Sequence, residues 1–352
     1  MKVAVVLFNL GGPDNFRAVQ PFLFNLFNDP AIIGIPNPFR WMLAKLISYR
    51  RAPTAKAIYA HLGGSSPLLK QTIDQAKALE ELFSKEEQVK TFIAMRYWHP
   101  LSNETAREVK NFGADRIILL PLYPQYSTTT TGSSITEWQR AAREAGINEP
   151  TVAICCYPQE TGFIESVVKG TRSAIVKASK NGSPRVLFSA HGLPQKIVDA
   201  GDPYPDHIEM TASAVVKQLN IKDLDWIVCY QSQVGPLKWI GPSTDDEIAR
   251  AAKDGVPIVI APIAFVSEHS ETLVELDVEY HELATSLGVT EYYRVATAYI
   301  TPQFINGLKG LVKKALEVFK DTDDSEVIQI FSGAGCKICS VTGSKCRNNE
   351  KD

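Results

Sequence analysis

The chain has 352 residues, 45% of them hydrophobic and 22% charged, with 21 prolines and 22 glycines. These are ordinary globular values that exclude long disorder, low complexity and a disulfide-stapled miniature scaffold, and the length suits two domains of roughly 150 residues each. With 37 Lys and Arg against 39 Asp and Glu, the formal net charge is -2, which argues against a nucleic-acid partner held through its phosphates.

The amino-terminal run KVAVVLFNL predicts a buried strand over 3–8, with no basic region or cleavage site behind it, so a cytoplasmic chain is expected. Residues 16–59 then crowd large apolar side chains, among them Phe24, Phe27, Phe39 and Trp41, between five prolines. That segment is too broken to span a membrane; it reads either as a helical cap on the core or as a lid over a large flat apolar ligand that also touches lipid. Further short β-branched runs at 91–95, 116–122, 152–156, 185–190, 226–230 and 257–263 alternate with helical periodicity at 103–112, 135–145, 163–180, 206–219 and 244–253. Alternating strands and helices predict an α/β fold of doubly wound parallel sheets. The loop at 148–151 divides it into domains 1–150 and 151–320, with the ligand expected at the carboxyl ends of strands. Residues 321–352, an acidic stretch, a short apolar run and a Gly- and Cys-rich tail, read as an extension held by something other than core.

Four patterns carry chemistry. The strand RVLFSA ends directly in His191, placing a group that titrates near neutrality where such sheets put their ligands, so it is a candidate general base. In SEHSETLVELDVEYHE, Glu271, Glu275 and Glu279 recur every four residues and on an α-helix stack along one face. Like charges at that spacing repel, and a solvated face is the plain reading; the apolar residues around them favour a partly buried row that shares protons or holds a cation. Hydroxyl-rich stretches at 123–134 and 231–244 open helices and could cradle an anion, although such caps are common without one. Cys336, Cys339 and Cys346 form C-x2-C-x6-C and need a fourth thiolate; zinc and a [2Fe-2S] cluster both fit, while Cys229 reads as plain core.

Seven strings occur in family order, FNLGGP, GGSSPL, MRYWHP, YPQYS with TGSS, FSAHGLP, QSQVGPLKWIGP and SEHSETLVELDVEY, and through them the chain resembles the ferrochelatases up to about residue 320. The resemblance implies two Rossmann-like domains enclosing a porphyrin cleft, and insertion of Fe2+ as substrate into protoporphyrin IX with release of two protons; coproporphyrin III is the alternative porphyrin. By the same match His191 is the proton acceptor, Glu271 the carboxylate facing it, and Glu275 and Glu279 continue the row for the incoming iron. Leu10, Arg96, Tyr97, Ser133 and Trp239 fall in motifs that line the porphyrin pocket. In the tail, cluster-bearing animal members use C-x2-C-x4-C plus a mid-chain cysteine; Ser166 stands at that mid-chain place here, so Cys155 or Cys156 is implied as the fourth ligand of a [2Fe-2S] cluster, with zinc as the alternative. Peripheral contact with the inner membrane follows from the aromatic segment. Two competing readings are a chelatase for another tetrapyrrole, cobalt or nickel, and a non-catalytic haem carrier.

Overall fold

The computed structural model describes residues 1–319 and 328–332. Nine strands run through them in chain order: β1 (Val3–Asn9), β2 (Val89–Met95), β3 (Arg116–Pro121), β4 (Thr151–Cys156), β5 (Arg185–His191), β6 (Trp226–Gln231), β7 (Ile258–Pro262), β8 (Tyr292–Arg294) and β9 (Ile328–Ser332). They form two sheets, ordered β2-β1-β3-β4-β9 and β6-β5-β7-β8, in which every pairing is parallel. Doubly wound parallel α/β architecture is therefore what the alternation of periods specifies.

The first compact unit contains Met1–Cys156 and resumes at Leu308; the second contains Tyr157–Gly307. The division falls after β4, not at 148–151. The reason lies in β4 itself, whose six residues TVAICC are all buried and whose register continues the first sheet beside β3. The apolar run in the extension is likewise sheet: Ile328–Ser332 adds to β4 as the edge strand, with Thr151 opposite Ile328 and Cys156 opposite Ser332. The carboxyl-terminal extension is thus in part a strand of the first sheet, a correction that follows from the unpaired edge β4 would otherwise present.

In the first unit, β1 is buried along its whole length, and the core on one side of the sheet gathers Phe8, Phe92, Ile117, Leu119 and Trp138. The opposite edge, β2, is closed by side chains. Glu80 accepts from the Thr91 backbone N–H at 2.7 Å and from its hydroxyl at 2.8 Å, and Thr105 Oγ1 donates to the Ile93 carbonyl at 2.6 Å, which blunts the edge against pairing with another chain.

The aromatic segment folds into helices Val19–Phe27 and Phe39–Ala60. The longer one buries Ala44, Ser48 and Ala52, a stripe of small residues at four-residue spacing, together with Tyr59. Val19, Leu23 and Tyr59 form a small core of their own, with Phe22 and Phe27 packed against it. Outward face Phe39, Trp41, Met42, Leu46 and Tyr49, all exposed. No described helix is long and apolar enough to cross a membrane.

In the second unit, Leu187, Ile248, Ile258, Ile260 and Leu276 build the core on one face of the sheet. Cys229 lies within it as expected, fully buried and accepting from Thr244 at 3.3 Å, its thiol pushed up to about 12 by burial.

Candidate active site

Both sheets reverse direction of growth beside their first strand: β1 has β2 on one side and β3 on the other, and β5 has β6 and β7. Loops leaving such neighbouring strands in opposite directions open a crevice at their carboxyl ends, the usual ligand position in this architecture. The sequence-predicted residues gather at these two places.

In the second unit, His191 closes β5. Its Nδ1 lies 2.6 Å from the Gly192 carbonyl oxygen. A carbonyl only accepts, so Nδ1 carries a proton, and Nε2 is the nitrogen left to act as a lone-pair acceptor. That nitrogen faces Glu271 Oε1 at 3.8 Å, with both side chains about a third exposed. Gly192 is glycine for a local reason: a Cβ there would meet the Gln231 carbonyl oxygen at 3.0 Å and the Trp239 ring at 3.2 Å. Trp239 therefore packs onto the backbone beside the histidine, and its Nε1 has no partner among the described residues.

The row of glutamates differs from expectation in its winding. Glu271–Glu279 is a nine-residue π-helix, closed by the Tyr280 N–H reaching the Glu275 carbonyl, where sequence periodicity implies an α-helix. Such i→i+5 runs are rare and recur at functional sites. Glu271 faces His191, and its Oε2 is buried without a partner among the described residues. Glu275 is held by Gln231 Nε2 at 2.9 Å, by the Ser232 backbone N–H at 2.7 Å, by the Ser232 hydroxyl and by Tyr280 OH at 3.2 Å. Burial and the neighbouring Glu271 charge push its carboxyl above the usual range. Glu279 is exposed. Among the described residues, no three His, Cys, Asp or Glu side chains converge as a metal cage.

Three further residues complete the surroundings of the glutamate row. Gln231 is fully buried at the end of β6; Ser189 Oγ donates to its Oε1 at 2.8 Å, which fixes the amide so that Nε2 points at Glu275 and at the Glu271 carbonyl. Ser232 has φ of 62°, a left-handed backbone uncommon for a residue with a Cβ, and that turn aims its N–H at Glu275. His269 is buried, its Nδ1 accepting from the Glu271 N–H at 3.1 Å; burial holds its imidazole below the ordinary range although Glu271 and Glu268 pull the other way.

In the first unit, the sequence-predicted porphyrin-binding residues meet on a residue the motifs did not flag. The backbone N–H of Arg96 and of Tyr97 donate to the carbonyls of Asn9 and Leu10, extending the β1–β2 pairing past the strand ends. Their side chains then converge with Ser133 on the buried Asp29. Oδ2 of that carboxylate accepts from Arg96 Nη2 at 2.8 Å, from Tyr97 OH at 2.9 Å and from the Ser133 hydroxyl, and Arg96 Nε donates to Ser133 at 2.6 Å. Tyr97 is buried, which together with the Asp29 charge raises its phenol well above the usual value. Leu10 packs beside the same core, half-buried. Asp29 sits where the aromatic segment turns after Phe27, so the signal was an acidic residue inside an apolar run. The FNLGGP and GGSSPL strings also meet: Ser66 N–H donates to the Pro13 carbonyl at 2.8 Å, and a Cβ on Gly12 would lie 2.5 Å from that of Ser66.

Cys155 and Cys156 are buried at the end of β4, their sulfurs 3.5 Å apart, where the pairing with β9 shifts register. Cys336, Cys339 and Cys346 lie outside the described residues. Ser166 donates to the Gly162 carbonyl at 2.8 Å and lies 2.7 Å from Thr301 Oγ1.

Two parallel sheets with flanking helices place the chain in the fold class of solved tetrapyrrole chelatases. SirB from Bacillus subtilis, solved with Fe3+, superposes with a TM-score of 0.54 over 93% of this chain and all of that one at 14% identity. The sirohydrochlorin chelatase SirB from subspecies spizizenii, in complex with cobalt, gives 0.53 at 13% identity, covering 92% of this chain and 98% of its own. The chain belongs to the ferrochelatase family, whose model matches residues 2–316. Ferrochelatase of Caulobacter vibrioides is 52% identical over 348 residues, 98% of this chain and 97% of that protein; ferrochelatase of Pelagibacter ubique is 51% identical over 320 residues, 90% and 92% of the two chains.

Proposed function

We propose that the protein is a ferrochelatase that inserts Fe2+ into protoporphyrin IX, forming haem and releasing two protons. The observation that carries the mechanism is the pairing of an Nδ1-protonated His191 with Glu271. Each of two pyrrole N–H groups must lose its proton while iron takes the nitrogen lone pairs. Nε2 of His191, oriented by the Gly192 carbonyl, accepts a pyrrole proton as a general base, and the imidazolium so formed is stabilised by the Glu271 carboxylate facing it. Proton transfer from that imidazolium to Glu271 resets the base for the second proton. Glu275 and the exposed Glu279 continue the path to water, and the same carboxylates exchange water ligands of the entering iron. Trp239 presents a flat apolar surface beside the base for the porphyrin, and Arg96, Tyr97 and Ser133, also porphyrin-binding in this reading, are ordered by Asp29, with Leu10 packed on the core beside them.

An anaerobic assay with Fe2+, read by loss of porphyrin fluorescence, tests the reading. Rapid quenching with protoporphyrin IX and little with coproporphyrin III is expected. The reverse preference makes the protein a coproporphyrin ferrochelatase, and binding without quenching in either case makes it a carrier.

Two finer assignments belong to the same reading. The extended tail carries a [2Fe-2S] cluster on Cys336, Cys339, Cys346 and one of Cys155 and Cys156. Its support is chain geometry: β9 ends at Ser332 opposite Cys156, only four residues before Cys336, a span of at most about 14 Å. When bound, the cluster ties the tail to the first sheet. Helix Phe39–Ala60 docks the protein peripherally at the cytoplasmic face of the inner membrane. Exposed Phe39, Trp41, Met42 and Leu46 are interleaved with Arg40, Lys45, Arg50 and Arg51, an apolar surface with cations that suit anionic headgroups.

A further inference from the structure

A nine-residue π-helix needs support, because i→i+5 winding seldom extends beyond a single turn on its own. The support comes from β8, a three-residue strand at the edge of the second sheet. Tyr292 OH donates to the Leu276 carbonyl at 2.6 Å. Arg294 grips Asp277 with two parallel hydrogen bonds, Nε to Oδ1 at 2.6 Å and Nη2 to Oδ2 at 2.7 Å. Its Nη1 donates to Glu268 Oε1 at 2.8 Å, an oxygen that also accepts from the Thr297 backbone N–H at 3.0 Å. Glu268 directly precedes His269, and His269 Nδ1 holds the Glu271 N–H. One guanidinium therefore ties the entry of the π-helix and its seventh residue to the same edge strand. None of these contacts uses the carboxylates of Glu271 or Glu275, which face His191, Gln231 and Ser232 instead.

Resting on the ferrochelatase reading, we propose that Arg294 is a positioning residue for metal insertion, which sets the carboxylate row by clamping Glu268 and Asp277. It touches neither substrate. Its planar fork satisfies Asp277 bidentately while a further N–H reaches Glu268, a geometry that an ammonium cannot reproduce. Release of the clamp lets the segment rewind toward the commoner α-helix, which rotates Glu271 and Glu275 relative to each other and to His191. Iron delivery suffers first, because it depends on the spacing of two carboxylates, whereas porphyrin binding draws on surfaces the clamp does not order.

The test compares R294M, R294K and D277N with wild type in the full-length protein. Steady-state rates are measured with Fe2+ varied and with porphyrin varied, and porphyrin affinity is read separately by fluorescence titration without metal. R294M is expected to raise KM for Fe2+ at least about tenfold, the usual scale for losing the partner that orients a metal-handling group, and to lower kcat, with porphyrin affinity unchanged within about twofold. R294K should restore part of the loss. D277N should resemble R294M, and the double variant should be no worse than R294M alone. D277N and R294K leave most of the packing in place, so they decide the matter where R294M fails to fold. Variants that lose only thermal stability, or in which KM for iron and for porphyrin rise together, would overturn the assignment. Wild-type protein that inserts no metal would overturn the functional reading and this assignment with it, whereas an active wild type indifferent to all three substitutions overturns this assignment alone.

Discussion

His191 and Glu271 make the sharpest statements at the scale of single residues. Removing the imidazole in His191→Ala should cut metal insertion by about 10²–10⁴, the contribution of a positioned base, while fluorescence titration finds porphyrin still bound; a variant that keeps most of its turnover would sink the mechanism. Glu271→Gln should lower turnover strongly, since Nε2 of His191 then faces an uncharged partner, and Glu279→Gln should be mild because that carboxylate is exposed. Asp29 belongs at the same scale. Its single oxygen Oδ2 serves three donors, so Asp29→Ala strands a guanidinium and two hydroxyls. Loss of one member of a buried ion pair costs about 3 kcal/mol at the low end of the range, the low end applying because Arg96 keeps some solvent contact. Denaturant unfolding should show that cost, and Arg96→Met in the Asp29→Ala background should add little. Additive losses would show that Arg96 and Asp29 act independently.

Among the elements, His269 and Glu268 in the loop before the π-helix carry a pH dependence of one sign, while Glu275 within the helix, its carboxyl raised by burial and the Glu271 charge, carries the opposite sign. Burial holds the His269 imidazole below its reference value of 6.5. The unfolded chain therefore binds a proton below that pH that the folded chain refuses, and stability falls as pH drops from 6.5 toward the folded value. Glu268 works in the same direction lower down. Burial pushes its carboxyl up, but Arg294 and the hydrogen bonds from Thr272 and Thr297 outweigh that and hold it below 4.5, so its contribution is present above 4.5 and disappears as pH falls through the folded value. His269 should thus lower the thermal midpoint as pH falls below 6.5, and His269→Asn should remove that part of the pH slope. An unchanged slope would mean that His269 titrates normally. The helix Phe39–Ala60 makes a separate prediction: replacing Phe39, Trp41 and Met42 by Ser should abolish sedimentation with anionic vesicles and leave the thermal midpoint unmoved, because these side chains are exposed and contribute little to the small core around Leu23 and Tyr59.

At the scale of the whole molecule, the first sheet is completed from far along the chain, β9 joining β4 across more than 170 residues of sequence. A cluster bridging the tail to Cys155 or Cys156 would fasten that closure. Protein purified anaerobically should then be reddish, hold about two irons and two sulfides per chain, and lose both its visible spectrum and part of its stability, but not its metal-insertion rate, in Cys339→Ser. A colourless protein with one zinc per chain would keep the site and change its metal; a metal-free protein of full stability would remove it.

The sequence by itself determined the seven strands from β1 to β7, the helices between them and the position of His191 at a strand end, because burial on both faces forces continuous β-branched runs and helical packing forces its own period. Family strings settled the kinship. Only the tertiary structure decided the rest. β8 and β9 are short edge strands with too few residues to show a period, and β4 reads equally well in either half until its neighbour β3 is known. The π-winding of Glu271–Glu279 leaves the apolar pattern close to that of an α-helix, so it is selected by contacts from Gln231, Ser232, Tyr292 and Arg294. Asp29 looks like a stray charge in an aromatic run until Arg96, Tyr97 and Ser133 arrive from three places in the chain. A carboxylate's role is set by the donors that reach it, and those donors are neighbours in space rather than in sequence.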